Sequence, residues 1–280
     1  MQRDTVRIYD TTLRDGLRNS GITMTLEQKV AFARQLEALN VDAIEIGYGG
    51  PSQIETMKQL ARAVTGPVVY GLSRVNIKDV DRVLESVEGA KKPGVNIFHP
   101  VSDDFLRRAK RTREQAIENT SKAVAYARQH VDHVVFATQD ASRADSAFLV
   151  DICNAVIVAG AKTISVADTV SYALPQQFGE LCAFLRANVI RGDTIAWSVH
   201  CHNEIGLAVA NSLAAVAHGV RQVECTINGA GEGAGNTPLQ PVIAALHKRE
   251  DIFSAVTTTI NHDQLVGTGQ MLAEIARLSL

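Results

Sequence analysis

The sequence predicts an α/β fold, a (βα)8 TIM barrel followed by a C-terminal helix. Three observations carry this reading. Strand-like and helix-like stretches alternate eight times along the chain, as parallel strands joined by right-handed crossovers require. The 280 residues match one closed barrel, whose usual size is about 250 residues. The apolar share is 46% with aromatics at only 5%, a composition common where helices pack on parallel strands. An open, doubly wound sheet is the structural rival.

The elements follow in order. A strand is expected over 5–12. The helix over 25–40 opens on Thr25 as N-cap, with Glu27 and Gln28 in its first turn. A strand at 43–49 precedes a helix near 52–64, and one at 67–73 precedes 76–87. Strand 94–101 leads to helix 112–130, and 133–139 leads to 145–159. Strand 163–168 leads to 175–189, 195–202 to 205–218, and 222–227 to 237–246. A last helix is expected near 261–278. No Pro/Gly/Ser-rich linker or charge block divides the chain, so residues 1–280 read as one domain. The densest charge run, Arg107 to Arg113, reads as a solvated helix start.

Lys plus Arg is 28 against 30 for Asp plus Glu, a net charge of -2. That balance argues against a nucleic-acid partner held by a global positive field. Charged residues at 21% and only 7 prolines argue against disorder. Cys153, Cys182, Cys201 and Cys225 form no CxxC pair and read as reduced core residues. The first twelve residues lack the signal-peptide pattern. No stretch reaches the roughly 18 uncharged apolar residues that span a bilayer. The expectation is a soluble, cytoplasmic protein with no membrane partner. Apolar outer helices are compatible with a homodimer, although nothing in the sequence specifies an interface.

In a barrel, chemistry gathers where strands end, at the C-terminal face. Arg14 and Asp15 follow the first strand, and Glu45 lies in the second. Thr169 follows the sixth, His200 and His202 close the seventh, and Asn236 lies beyond the eighth. The sharpest local feature is Ser198-Val199-His200-Cys201-His202. Period two puts both imidazoles on one face, where their neutral nitrogens can share a divalent cation. The alternative is two packed core histidines. Asp15 would add a carboxylate and Asn236 a carbonyl oxygen, a donor set that suits Zn, Mn, Co or Mg. The glycine run from Gly229 to Asn236 lacks the dinucleotide fingerprint and follows the last strand, not an early βα unit. Arg14, beside Asp15, would stabilise an enolate or alkoxide oxygen as charge develops. Glu45, a carboxylate among Ala43, Ile44 and Ile46, is open to two readings: a chemical role, or an ion pair that holds Arg14.

With these residues assembled, the chain resembles the DRE-TIM metallolyases, most closely the catalytic barrel of the 2-isopropylmalate, homocitrate and citramalate synthases. The likeness runs through DTTLRDG (10–16), QDASRAD (139–145), ISVADTVSYALP (164–175) and, most strongly, residues 198–236. It implies a divalent metal at Asp15, His200, His202 and Asn236, with Arg14 stabilising the reacting oxygen. A hydroxyl matching Thr169 would hold the 2-oxo acid's carboxylate. It also implies condensation of an acyl-CoA with a 2-oxo acid. The alternative is aldolase or lyase chemistry of the 4-hydroxy-2-oxovalerate aldolase or hydroxymethylglutaryl-CoA lyase type.

The chain departs from the synthase pattern at several places. Leu17-Arg18 stand where Glu-Gln or Asn-Gln is usual, and Arg18 either reaches a second anionic group of the substrate or is solvated. Gln139 stands where an acid is usual, and Asn96 where His is. Gly233 gives GEGAGN in place of GERAGN, nearer the aldolases, and Glu204 replaces Asp. The accessory and leucine-sensing regions of those synthases lie outside the 280 residues, so leucine feedback is not expected of this chain. The cysteine-bearing glycine-rich loop of the lyases is also missing, although Leu17 echoes their first loop. A non-catalytic metal-binding barrel is the third reading, motivated by Gln139 and the missing accessory region.

Overall fold

The computed structural model describes residues 3–279. Met1, Gln2 and Leu280 of the expected single domain therefore lie outside the described residues. Eight parallel strands form one closed barrel: β1 (Arg7–Asp10), β2 (Ala43–Tyr48), β3 (Val68–Arg74), β4 (Pro93–Pro100), β5 (His133–Gln139), β6 (Thr163–Asp168), β7 (Ala196–Cys201) and β8 (Gln222–Cys225). Each strand pairs with the next. β8 closes on β1 through a register running from Arg7 opposite Gln222 to Asp10 opposite Cys225.

The outer layer comprises α1 (Leu26–Ala38), α2 (Ile54–Ala63), α3 (Ile77–Val87), α4 (Arg113–Arg128), α5 (Ser146–Ala159), α6 (Pro175–Asn188), α7 (Ala208–Ala217) and α8 (Leu239–Lys248). The starts of α1 and α4 are built as the sequence suggests. Thr25 and Thr112 accept the N3 backbone N–H, while Gln28 and Gln115 reach back to the cap, completing two capping boxes. The C-terminal helix α9 (His262–Ser279) docks on α1, where Gln35 Nε2 donates to Gln264 at 3.1 Å and Thr268 at 2.9 Å.

Strand alternation sorts the core into two parts. Ile8, Ile44, Val69 and Phe136 join the large apolar layer shared with the helices. A second cluster, Tyr9, Ala43, Tyr70 and Val135, consists of strand residues alone and fills the barrel interior. Above it the interior turns polar, with Glu45, Asn96, Ser165, Ser198, His200 and Glu224 all buried. A barrel optimised only for stability would place aliphatic layers there.

Some elements differ from expectation. The first strand stops at Asp10, because its carboxylate accepts both the N–H and the O–H of Thr12, each at 2.9 Å. Thr12–Gly16 then winds into one π-helical turn. Two short helices, Asp103–Arg108 and Glu250–Phe253, and a ribbon pairing Asp4–Thr5 with Val256–Thr257 are too brief to leave a periodic signal. The basic run spans two elements: Arg107 and Arg108 end the short helix, and Arg113 opens α4. Their charges pair with Asp103 and Asp104. The four cysteines are free and buried. Among the described residues, no helix is long and apolar enough to cross a membrane.

Candidate metal centre

The π-helical turn after β1 carries Leu13, Arg14 and Asp15 over the C-terminal mouth of the barrel, and such turns are frequent at functional sites. Arg14 is held from two sides. Its Nη1 lies 2.5 Å from Asp15 Oδ1, and its Nε donates to Glu45 Oε2 in a close contact. Glu45 is fully buried on β2, and its other oxygen accepts from the Tyr9 hydroxyl at 3.0 Å and Asn96 Nδ2 at 2.9 Å. Among the described residues, no hydrogen bond engages Nη2 of Arg14.

β7 delivers the histidines as the period of two requires. The ring centroids of His200 and His202 lie 5.2 Å apart. Asp15 Oδ2 sits 3.3 Å from His200 Nε2 and 3.7 Å from His202 Nε2, and the ligand atoms of all three residues fall within 4.8 Å of one another. His202 stands one residue beyond β7, and its main chain pairs with Asn236 in an isolated bridge. The Asn236 amide nitrogen donates to the Ala230 carbonyl at 3.1 Å. Its Oδ1 is buried with no hydrogen-bond partner, and so is Asp15 Oδ2. Two imidazole nitrogens and the orphaned Asp15 oxygen, gathered in one place, are donors for a divalent cation, and the orphaned Asn236 oxygen belongs to the residue bridged to His202. The residues present fit such an ion.

The glycine run sets the backbone on either side of Asn236. Gly235 has φ +84°, and a Cβ there would overlap the Gly229 carbonyl. A Cβ on Gly231 would overlap the Asn236 amide nitrogen.

The electrostatics are those of an anion-rich, buried mouth. Burial pushes Asp15 up, but the Arg14 guanidinium and then His200 outweigh it and hold the carboxyl well below the usual range. Burial raises Glu45, with the Arg14 charge opposing. Burial lowers Arg14, yet Asp15 and Glu45 together raise it. His200 is lowered by burial, but the Asp15 and Glu224 carboxylates beside its two ring nitrogens push it up to about 9. Burial and the neighbouring His200 lower His202.

The remaining sequence-predicted residues lie at the ends of other strands and in the first loop. Thr169 follows β6, and its Oγ1 accepts the Asp140 backbone N–H at 2.9 Å. Gln139 ends β5 on the same strand face as the interior Val135. Neither makes a hydrogen bond or ion pair to the Asp15–His200 group among the described residues. Arg18 is exposed, 3.5 Å from Glu232 of the glycine run. It lines a cavity of about 760 Å³ together with Arg14, Tyr48, Leu72, Arg74 and Phe98. Sequence reasoning did not single out Tyr9, which braces Glu45, or Glu224, whose Oε2 lies 3.3 Å from His200 Nδ1. The available signal for Glu224 was the one used for Glu45, a carboxylate at an inward position of a barrel strand.

A family model described as HMGL-like matches residues 5–272. The chain belongs to the HMGL-like family. The resemblance drawn from the motifs is borne out at that level. Among relatives of this HMGL-like chain, the 2-isopropylmalate synthase of Syntrophus aciditrophicus is 42% identical over 278 residues, which is 98% of this chain and 54% of that protein. The 2-isopropylmalate synthase of Pyrococcus furiosus is 41% identical over 278 residues, 98% of this chain and 56% of that protein. The chain thus spans about half the length of the curated relatives it matches. Among solved structures, an HMG-CoA lyase from Acinetobacter baumannii in complex with coenzyme A and 3-methylmalate superposes with a TM-score of 0.81 at 19% identity, covering 98% of this chain and 92% of that one. At that identity the likeness is one of fold.

Proposed function

We propose that the chain is a divalent-metal-dependent catalytic barrel that makes or breaks a carbon–carbon bond beside the carbonyl of a 2-oxo acid. One observation carries this reading. The Asp15, His200 and His202 ligand atoms converge within 4.8 Å, directly beside an Arg14 held by Asp15 and Glu45. The leading reaction is a Claisen-type condensation of an acyl-CoA with the 2-oxo acid. Relatives named 2-isopropylmalate synthase, matching nearly the whole chain, support it.

A divalent cation (Mn, Mg, Zn or Co) held by Asp15, His200, His202 and Asn236 would supply a Lewis acid to the 2-oxo carbonyl. The chain's own residues do the rest. Arg14 donates from Nη2 to the oxygen that gathers negative charge, and its two carboxylate partners hold it in place beforehand. Thr169, its Oγ1 lone pair taken by the Asp140 N–H, has its hydroxyl proton free for the substrate carboxylate. The cavity bordered by Arg14, Leu72 and Phe98 receives the rest of the substrate, and Arg18 stands at its exposed edge for an anionic group. Gln139 can orient a substrate by hydrogen bonding but cannot take up a proton at neutral pH.

The second reading, metal-dependent aldol or retro-aldol cleavage, is favoured by one observation: Gln139 is a neutral amide where the synthases carry an acid. One assay separates them. Free CoA released from acetyl-CoA, with a panel of 2-oxo acids and added metal, supports condensation. Pyruvate formed from 4-hydroxy-2-oxo acids without thiol release supports cleavage. No turnover in either panel, in a protein shown to hold metal, overturns the proposal.

A further inference from the structure

We infer that Glu224 is a positioning residue: it fixes the ring of His200 so that Nε2, and not Nδ1, is presented to the metal. The inference rests on the metal reading above and adds a residue that reading does not use. His200 is flanked by carboxylates at both ring nitrogens. Nδ1 lies 3.3 Å from Glu224 Oε2, and Nε2 lies 3.3 Å from Asp15 Oδ2. The two carboxylates differ in freedom. Glu224 is 2% exposed on β8, and its other oxygen accepts from Ser198 Oγ at 2.8 Å. Gln222 Nε2 in turn donates to Ser198 at 3.1 Å. Those hydrogen bonds hold the Glu224 carboxylate in place with Oε2 turned to Nδ1, an acceptor for the imidazole proton on that nitrogen. Asp15 Oδ2 has no hydrogen-bond donor of its own, so the Nε2 side is where an ion can be shared.

His202 shows the contrast. Its Nδ1 lies 3.6 Å from Glu204 Oε1, a carboxylate whose side chain is 42% exposed and whose other oxygen is engaged by Ser171. The grip on His202 is longer and wetter. A carboxylate that orients a ligating histidine and raises its basicity typically accounts for about 10–100-fold in metal affinity. The structure assigns that effect to Glu224 on His200 far more than to Glu204 on His202.

The test measures Zn and Mg dissociation constants of the full chain by calorimetry. Proton-coupled ¹⁵N spectra of histidine-labelled protein loaded with diamagnetic Zn then read the tautomers. Glu224→Ala is expected to weaken metal binding by about 10–100-fold and to lose the Nδ1-protonated signal of His200, with His202 unmoved. Glu224→Gln, whose amide oxygen can still accept from Nδ1–H, is expected to recover much of both. Glu204→Ala is expected to change affinity only a few-fold. Should Glu224→Ala fail to fold, Ser198→Ala frees the carboxylate without removing it, and a several-fold loss of affinity is expected. Unchanged affinity and tautomer in the foldable variants would overturn the inference while leaving the metal site intact. A wild-type chain that binds neither ion would overturn the metal reading itself, and the role of Glu224 with it.

Discussion

Arg14 and Glu45 meet across the mouth of the barrel, the guanidinium Nε donating to a carboxylate oxygen that is completely buried. The pair joins a turn after β1 to the second strand, and Tyr9 and Asn96 brace the far side of the carboxylate. An arginine so held has lost its side-chain freedom in folding, before any substrate arrives. Its charge is therefore preorganised where negative charge would develop, the arrangement in which a donor is worth most.

Removing that charge should separate binding from chemistry. Arg14→Ala is expected to retain divalent metal but lose about 10²–10³-fold in kcat, the range for deleting one oxyanion donor. Metal stoichiometry and steady-state kinetics check it, and a fully active variant refutes the role. Glu45→Gln keeps the shape and removes the ion pair. A smaller loss, on the order of tenfold, is expected there, since Asp15 still holds Nη1.

The histidines should control the metal. His200→Ala combined with His202→Ala is expected to abolish tight divalent binding, because two of the four donors go together. Elemental analysis after dialysis reads the outcome. Stoichiometry equal to wild type removes the basis of the site.

Asn236 depends on backbone that only glycine allows. At Gly235, φ is +84° and the space for a Cβ is filled by the Gly229 carbonyl. Gly235→Ala is expected to displace the Asn236 amide, weaken metal binding and lower the melting temperature by several degrees. A variant that melts and binds like wild type contradicts that dependence.

A pH effect on stability is expected from Asp10, away from the ligands. Burial pushes its carboxyl from 3.8 up to about 7, against hydrogen bonds from Thr12 that lower it. Between those values the folded chain keeps a proton that the unfolded chain has lost. The stability due to this group is therefore fully present below about 3.8 and is lost as pH rises through about 7. Asp10→Asn is expected to flatten that part of the profile, by urea denaturation at pH 5 and pH 8. An identical pH dependence in the variant argues against the assignment.

Much of the fold was legible because its signals are local. Thr25 with Gln28 marks a capped helix within one turn, and His200 with His202 declares a shared face within three residues. The turn that presents Arg14 was not legible: Asp10 to Thr12 reads as more strand until the Asp10 carboxylate captures both donors of Thr12. Nor was the choice between roles for Glu45 visible, since its partner lies 31 positions away.

The sequence by itself determined eight strand–helix units, an inward-facing histidine pair, a cationic residue beside an acid and a glycine run that ends in Asn236. Only the tertiary structure decided which of these meet. Closure of β8 onto β1 brings Cys225 opposite Asp10, and with it the glycine run over the turn that carries Asp15. Pairing of β7 with β8, His200 opposite Glu224, sets that carboxylate against the far nitrogen of His200. The physical reason is that strand periodicity and capping act over a few residues. The choice of partner across a barrel is made by inter-strand register and ring closure, which no short window of sequence contains.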